Sequence, residues 1–521
     1  MIRDMTGSRH RKRVASSFIV DRVTPKHVLC AVSLWIWAGL AQANPLPTDA
    51  DVTLSPDGMR SLSAGLIQSG RLAEAAALTD ALIARDPSDP TALILRARVA
   101  LATDDPRGAI TLAARAFRAG GNDDQRYAAA RIAARGHAAL KQDTRAQWWL
   151  RRAGNVAPDE AAERSVAEEF RALRQRNPLA ISLQFGISPS SNINGGSDND
   201  VSIILGHPSP NGPDTRPLSG LQFEGGVNLS YRLNQTERSA TLFDFSVGGR
   251  TYALSEESKN RIREYRQDAI DKGTSQIPPL VRGSDFADVV ASIGLSHRWL
   301  PENARGPWSI SGTLGQTWYD GAPYVSFREI ALSKTIRFEG GRRLDLSGFI
   351  ERQDRPYEVV DSSGTASSER VIIQKEGQLL AAGGRARWNW TRPDRDEVSV
   401  TAGFRDTLND IESLTDVAFD SLSVGATYQL AEPIFSVELG FGADLEYRFF
   451  ARSKLVETDR PGGVGPREDW RGNLRLIVGL PQYSYYGFEP QVIFRASRTE
   501  STAPRIDSRS LSIDFGIVSS F

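Results

Sequence analysis

The chain has a single cysteine, Cys30, among 521 residues. It lies in the apolar run Val28–Leu40, which reads as the core of a cleaved signal peptide, so the mature chain has no thiol. That excludes disulfides, thiolate catalysis and cysteine–metal centres. Histidine is equally scarce, at five residues. His10, His27, His137, His207 and His297 share no metal-ligand spacing. No glycine loop of phosphate-binding type is present. A Ser/His/Asp arrangement would need a distant pairing that nothing in the sequence motivates. Asp354, Asp396, Asp406 and Asp410 read as solvated loop or strand-end residues. The segment Gly195–Asp200 (G-G-S-D-N-D) has oxygen ligands without the full calcium-loop pattern. The chain is therefore expected to have no catalytic, cofactor-binding or metal-ligating residues, no cofactor and no enzymatic activity.

An excess of charge is missing too, with 63 Lys+Arg against 63 Asp+Glu. Removal of residues 1–43, which hold seven basic and two acidic side chains, leaves 56 against 61, or −5. Such a chain is not expected to bind nucleic acid. No apolar run is long enough for a membrane-spanning helix; Val28–Leu40 is too short. It follows a basic segment with Arg9, Arg11, Lys12, Arg13, Arg22 and Lys26. It precedes Ala41-Gln42-Ala43, a small-x-small site. Cleavage after Ala43 is expected, giving residues 1–43 as signal peptide, with Met5 as an alternative start. No cysteine follows the site to take a lipid anchor.

From Leu62 to Ala167 the chain is rich in alanine, leucine and arginine, a helix composition. Ser63, Ala75 and Leu82 recur about 34 residues on as Ala97, Ala109 and Ala116. They recur again, after a small insertion, as Ala134, Ala146, Leu150 and Ala153. A period near 34 in paired helices indicates tetratricopeptide-like repeats over residues 50–160, a short solenoid with a docking face. Trp148 and Trp149 are adjacent and cannot share one face of a helix. One of them should meet solvent, a barrel rim or a client. Residues 161–178 read as a charged connector helix with Val166, Phe170 and Leu173 on its apolar side, ended by Asn177-Pro178.

At Leu179 the pattern switches to period two. Leu221, Phe223, Val227, Leu229, Tyr231 and Leu233 share one strand face, and Gln222, Glu224, Asn228 and Arg232 the other. An apolar outer face backed by a polar inner one suits a barrel in an outer membrane. Fourteen strands are expected over residues 179–521, the run from Glu369 to Trp390 being the one that could hide a bend or a short helix. Long connections fall near 190–218, 253–284, 356–369 and 453–467, and short ones at 234–237, 301–306, 321–323 and 391–396. Aromatics near strand ends, among them Trp299, Trp308, Trp318, Trp388, Trp390, Tyr447 and Trp470, suggest two interfacial girdles. The last strand alternates through Leu511, Ile513, Phe515 and Ile517 to Phe521. A terminus tied into a sheet fits closure of a barrel.

The order of signal peptide, short repeat array, connector, P-S-S-N-I-N-G-G-S at residues 189–197, and barrel resembles the surface lipoprotein assembly modulator (Slam) family. The resemblance implies an outer-membrane protein with periplasmic tetratricopeptide-like repeats. It implies a translocon role, moving lipoproteins or related secreted proteins to the cell surface. The implied partners are a client protein, periplasmic chaperones, the barrel-assembly machinery and outer-membrane lipids, around a monomeric barrel. Asn192 and Asn194 match the family's junction, which marks where the barrel begins. The alternative function is a polysaccharide or small-solute export channel. A sugar path would need a row of lumenal aromatics and carboxylates, whereas the inner faces carry mixed Gln, Glu, Arg, Asn and Ser.

Overall fold

The computed structural model describes residues 54–204, 207–274, 277–361, 371–391, 396–409, 416–453, 455–456, 465–486 and 488–519. The signal segment, Asp410 and Phe521 lie outside the described residues. Seven helices come first: α1 (Pro56–Gln68), α2 (Leu72–Arg85), α3 (Pro90–Ala102), α4 (Pro106–Ala119), α5 (Asp123–Ala139), α6 (Asp143–Asn155) and α7 (Glu160–Arg176). Their starts are written in the sequence. Asp89 accepts from the amides of Thr91 and Ala92 ahead of Pro90. Asn122 and Gln125 close a capping box on α5, so orphan amides are satisfied at both sites.

The repeat positions form the core of this solenoid. Ser63, Ala75, Leu82, Ala97, Ala109, Ala116, Ala134, Ala146, Leu150 and Ala153 are all buried. Alanine dominates because the helices pack closely. A Cβ on Gly136 would stand 2.7 Å from Ile110 Cγ1 and 3.1 Å from the Pro106 carbonyl. Consecutive helices pack pairwise, and two clusters around Leu93/Ile132 and Leu150/Phe170 continue the core along the array.

The barrel strands are β1 (Leu179–Ser190), β4 (Gly220–Gln235), β5 (Ser239–Leu254), β6 (Asp288–Trp299), β7 (Trp308–Tyr319), β8 (Ala322–Arg337) and β9 (Arg342–Asp361). They continue with β10 (Val371–Thr391), β11 (Glu397–Thr407), β12 (Asp420–Gln429), β13 (Glu438–Ser453), β14 (Gly465–Gly479), β15 (Phe488–Ser501) and β16 (Ser508–Ser519). Fourteen antiparallel strands close into one barrel in sequence order, β1 meeting β16. A hairpin of β2 (Val201–Ile204) and β3 (His207–Pro210), and the helix α8 (Glu256–Asp271), stand in the two longest connections. β10 runs unbroken through the segment where a bend was a possibility.

Ile330, Leu422, Leu474 and Leu511 are each more than 60% exposed on the outer face of the barrel. No described helix is long and apolar enough to cross a membrane; the strands cross it. Trp299 stacks on Trp308 at 6.4 Å and Phe338 meets Trp388 at 5.4 Å near the turns on the solenoid side. Tyr319 with Tyr324, and Tyr447 with Trp470, take the opposite end. The protein is an outer-membrane β-barrel preceded by a periplasmic helical domain.

Two expectations are revised. The short connection expected at 321–323 is instead the outer turn Asp320-Gly321, and Ala322-Pro323 already belong to β8: Asp320 and Gly321 both have positive φ, 49° and 75°, the geometry of a two-residue hairpin that matches strand twist. Asp354 lies within β9, in register with Ser326 and Gln378, and not in a loop or at a strand end. Asp396, just ahead of β11, is at a strand end and is engaged there. Its carboxylate accepts from Tyr428 Oη and from the Ala431 amide at 2.8 Å, tying one periplasmic turn to the next.

Candidate functional site: lumen, seam and docked solenoid

Alternation and register decide which side chains line the lumen. Leu474 pairs with Ala443 and Ala496 on the outer face, so Arg471, Asn473 and Arg475 point inward. The same reasoning, carried round the barrel, places charges of both signs along the lumen. β4 to β9 turn Glu224, Asp244, Asp288, Glu329, Asp345 and Glu351 inward, and with them Arg250, Arg298, Arg343 and Arg355. β10 to β15 turn in Arg385, Arg387, Arg405, Arg448, Arg467, Arg471, Arg475 and Arg495, with Asp444, Glu446 and Asp469.

Many of these charges are already matched. Arg448 pairs with Glu446 and Arg475 with Asp444, each at 2.8 Å. Arg250 pairs with Asp288 at 3.0 Å and Arg495 with Asp514 at 2.8 Å. Arg467 and Asp469 are both buried and paired at 3.1 Å, with Asp416 at 3.1 Å from the same guanidinium. The Arg467 guanidinium also covers the Phe450 ring at 3.6 Å. Phe419, just ahead of β12, sits against Arg405 and Arg448 at 5.4 and 4.6 Å. This buried knot stiffens the outer end of the wall from β12 to β14.

The junction with the solenoid is firmly built. Arg176 pairs with Asp143. The Asn177 amide group donates to Thr144 Oγ1 and Gln147 Oε1 at 3.0 and 3.1 Å, and its carbonyl oxygen accepts from the Leu179 amide at 3.0 Å. Arg232 of β4 donates to the carbonyls of Gln175, Arg176 and Asn177, capping the C-terminal end of α7, where a cation is favoured. A second contact grips the turn between β14 and β15. Arg151 donates to the Tyr486 carbonyl at 3.1 Å, and Asn155 Oδ1 accepts from the Tyr486 amide at 2.9 Å. The Arg151 guanidinium also faces the Phe488 ring at 4.5 Å. Burial, with Arg174 alongside, lowers its pKa to about 10, so it stays charged at neutral pH. The tryptophan pair divides its work: Trp149 packs edge-on to Phe117 inside the solenoid and Trp148 meets Phe488 on the rim.

The closing seam is unlike the other strand pairs. All twelve residues of β1 register with β4. Towards β16 only Gly186↔Gly516, Ile187↔Phe515 and Ser190↔Ser512 register among the described residues. Pro189 has no amide to donate. At the periplasmic end, a cavity of about 400 Å³ lies between β1 residues 179–184, Ile517, and Trp148, Arg151, Phe170 and Arg174 of the solenoid. The outer end is locked. Asn192 Nδ2 donates to the carbonyls of Gly196 and Arg509 at 2.9 and 3.1 Å, and its Oδ1 accepts from the Gly196 amide at 2.8 Å. Ser197 and Asn199 donate to the Pro504 carbonyl at 3.0 and 2.7 Å. Asn194 bonds to Asp214, Arg216 and Leu218 within the first outer connection. The Ser-Asn-Ile-Asn run is thus a clasp across the first and last strands, and Ser197 Oγ and Asn199 Nδ2 are engaged beside it. Among the described residues no group of three or more His, Cys, Asp or Glu is placed to hold a metal ion. His137 is buried against Gln142 Oε1 at 2.8 Å, and His297 stacks on Trp299 in the periplasmic aromatic band.

Residues 66–135 match the tetratricopeptide repeat family. No curated protein matches the chain. Among solved structures, the type III secretion translocator chaperone SycD of Yersinia enterocolitica is similar to the helical part: 18% identity, TM-score 0.22, 24% of this chain and 88% of that one. OprB of Pseudomonas putida is similar over 68% of this chain and 97% of its own, at 11% identity and TM-score 0.35. OmpT of Vibrio cholerae, an outer-membrane protein, covers 66% and 97%, at 8% identity and TM-score 0.30. At such scores these likenesses say nothing of what crosses this barrel. The chain joins a tetratricopeptide-like region to a fourteen-strand outer-membrane barrel.

Proposed function

We propose that the barrel lumen is a channel for small polar solutes across the outer membrane, with the solenoid docked at its periplasmic mouth. The observation that carries this is the lumen wall. The strands from β4 to β15 turn mainly polar and charged side chains inward, while the middle of their other face is mainly apolar. A wall of that kind supports water and hydrated solutes. A polysaccharide path would need aromatics along its length, and the inward faces are dominated by Arg, Ser, Thr, Glu and Asp. The test is reconstitution of the full mature chain in a planar bilayer. Stepwise ohmic conductance is expected. A folded, heat-modifiable barrel with no conductance refutes the reading.

A second reading, transfer of a protein client to the cell surface, is the role the Slam resemblance implies. One observation favours it: the short β1–β16 ladder with the solenoid and a cavity directly beneath it. A strand edge that is only partly paired can template an extended segment of a β-rich client. Client and periplasmic chaperones would then dock on the repeats. Deleting the protein should leave a neighbouring gene's secreted product in the periplasm, shielded from protease added to whole cells. Unchanged surface display refutes this reading and leaves the channel.

A further inference from the structure

The inner wall is not equally open along its length. Asn228, Arg298, Ser347, Arg385 and Arg387 face the lumen at mid-barrel or nearer the periplasm, and they are exposed. At the outer end Leu379, Phe450, Arg467 and Asp469 also face inward, yet each is at most 4% exposed. Bulky side chains that border open water are not covered to this degree, so the protein's own chain fills this end of the lumen. Asp416 and Phe419, just ahead of β12, are part of that filling. Asp416 accepts from Ser453 Oγ at 2.5 Å and pairs with Arg467 at 3.1 Å. The Phe419 ring lies 5.3 Å from Phe450, against the guanidinium groups of Arg405 and Arg448. Those three partners all point inward, so the Phe419 ring is inside the wall.

The other side of the mouth is covered too. Tyr252 and Leu254, at the outer end of β5, face inward in register with Gln222 and Gly220 of β4. Ile262 of α8 packs with them, together with Ile193, Leu218 and Phe286. The helix is tied down there. Ser258 Oγ accepts from the Ser219 amide at 2.9 Å, and Arg261 donates to the Pro217 carbonyl. Round the closed order, β5 and β12 are seven strands apart in either direction. α8 and Phe419 therefore face each other across the mouth. Two guanidinium groups against one ring add cation–π attraction, which holds the ring in place. The diameter and lining of the tightest point decide what a pore admits. We infer that the lumen is narrowest at its outer mouth, between α8 and Phe419, and that the Phe419 ring sets the size limit for polar solutes.

This rests on the channel reading, and the experiment separates the two. The chain after residue 43 has no cysteine, so F419C places a lone thiol in the mouth of the full mature protein. L422C, on the outer face of β12, is the control. Current through planar bilayers is recorded before and after addition of a bulky charged methanethiosulfonate, with labelling confirmed by mass. F419C should lose most of its current, and L422C and the wild type none. The size limit is then measured with polyethylene glycols of graded mass. F419A should admit larger polymers than the wild type, and F419W only smaller ones. A ring that merely holds the knot together would shift the limit the same way in both variants, and that result overturns the inference. Full labelling of F419C with unaltered current overturns it as well and spares the channel, as does an unchanged limit in F419A and F419W. No conductance from a folded wild-type barrel overturns both. Heat modifiability of each variant confirms that the barrel is assembled.

Discussion

The assignment of faces is tested most directly by one adjacent pair. Leu229 lies on the outer face of β4, in register with Ile181 on one side and Phe245 on the other. Asn228, next to it, points into the lumen between Ser182 and Ser246. β4 has 16 residues, and Leu229 lies about one and a half residues from its midpoint. With about 3.3 Å per residue and a tilt near 40°, that is roughly 4 Å from the bilayer centre. Arginine on the lipid face costs about 2–4 kcal/mol at the midplane and about 0–1 near the interfaces. At this depth Leu229→Arg should cost about 2–3 kcal/mol, or roughly 30- to 150-fold in the folding equilibrium. Asn228→Arg places the same side chain in the lumen and should cost less than about 0.5 kcal/mol. Guanidinium titration of each variant in phospholipid vesicles, followed by tryptophan fluorescence and gel mobility with and without heating, gives both values. Equal losses at the two positions would refute the alternation on which the lumen rests.

Other perturbations reach the remaining parts. Asn192→Ala removes three hydrogen bonds from a buried clasp and should destabilise the barrel by about 2 kcal/mol, leaving buried partners unsatisfied; vesicle unfolding would show it. Gly136→Val forces a side chain against Ile110 and the Pro106 carbonyl and should cost about 1–3 kcal/mol, seen as an earlier helical transition in circular dichroism with heat modifiability retained. The double change Trp148→Ala with Arg151→Ala should loosen the solenoid from the rim. Faster proteolysis between the two domains, with an unchanged barrel fragment, is the expected sign; an unchanged cleavage rate would show that the Asn177 junction alone fixes the domain.

Much of this architecture was legible in the sequence because each part has its own period. The fourteen strands show as alternation, and the helical array as small residues about 34 apart. α8 was not legible. Ser255 caps it and Ser258, Ile262 and Ala269 form its buried side, but three small or apolar positions in a highly charged stretch make a weak stripe. The roles of Asn192 and Asn194 were also hidden, since their partners come from residues distant in sequence or from irregular loop backbone. The ion pairs of the lumen wall needed register as well as alternation. Arg475 and Asp444 each look like an ordinary inward charge until the strands are set side by side.

The clasp at the outer end of the seam also bears on time. Asn192 and the Arg509 carbonyl are 317 residues apart. Closing a loop of that length in a flexible chain costs about 5 kcal/mol in entropy, while a single hydrogen bond returns about 1 kcal/mol. The contact therefore cannot lead assembly. It becomes favourable only after the intervening hairpins have zipped together and carried β16 back to β1. Its formation reports that the barrel is complete. A chain halted before its last strand has no means of making that bond.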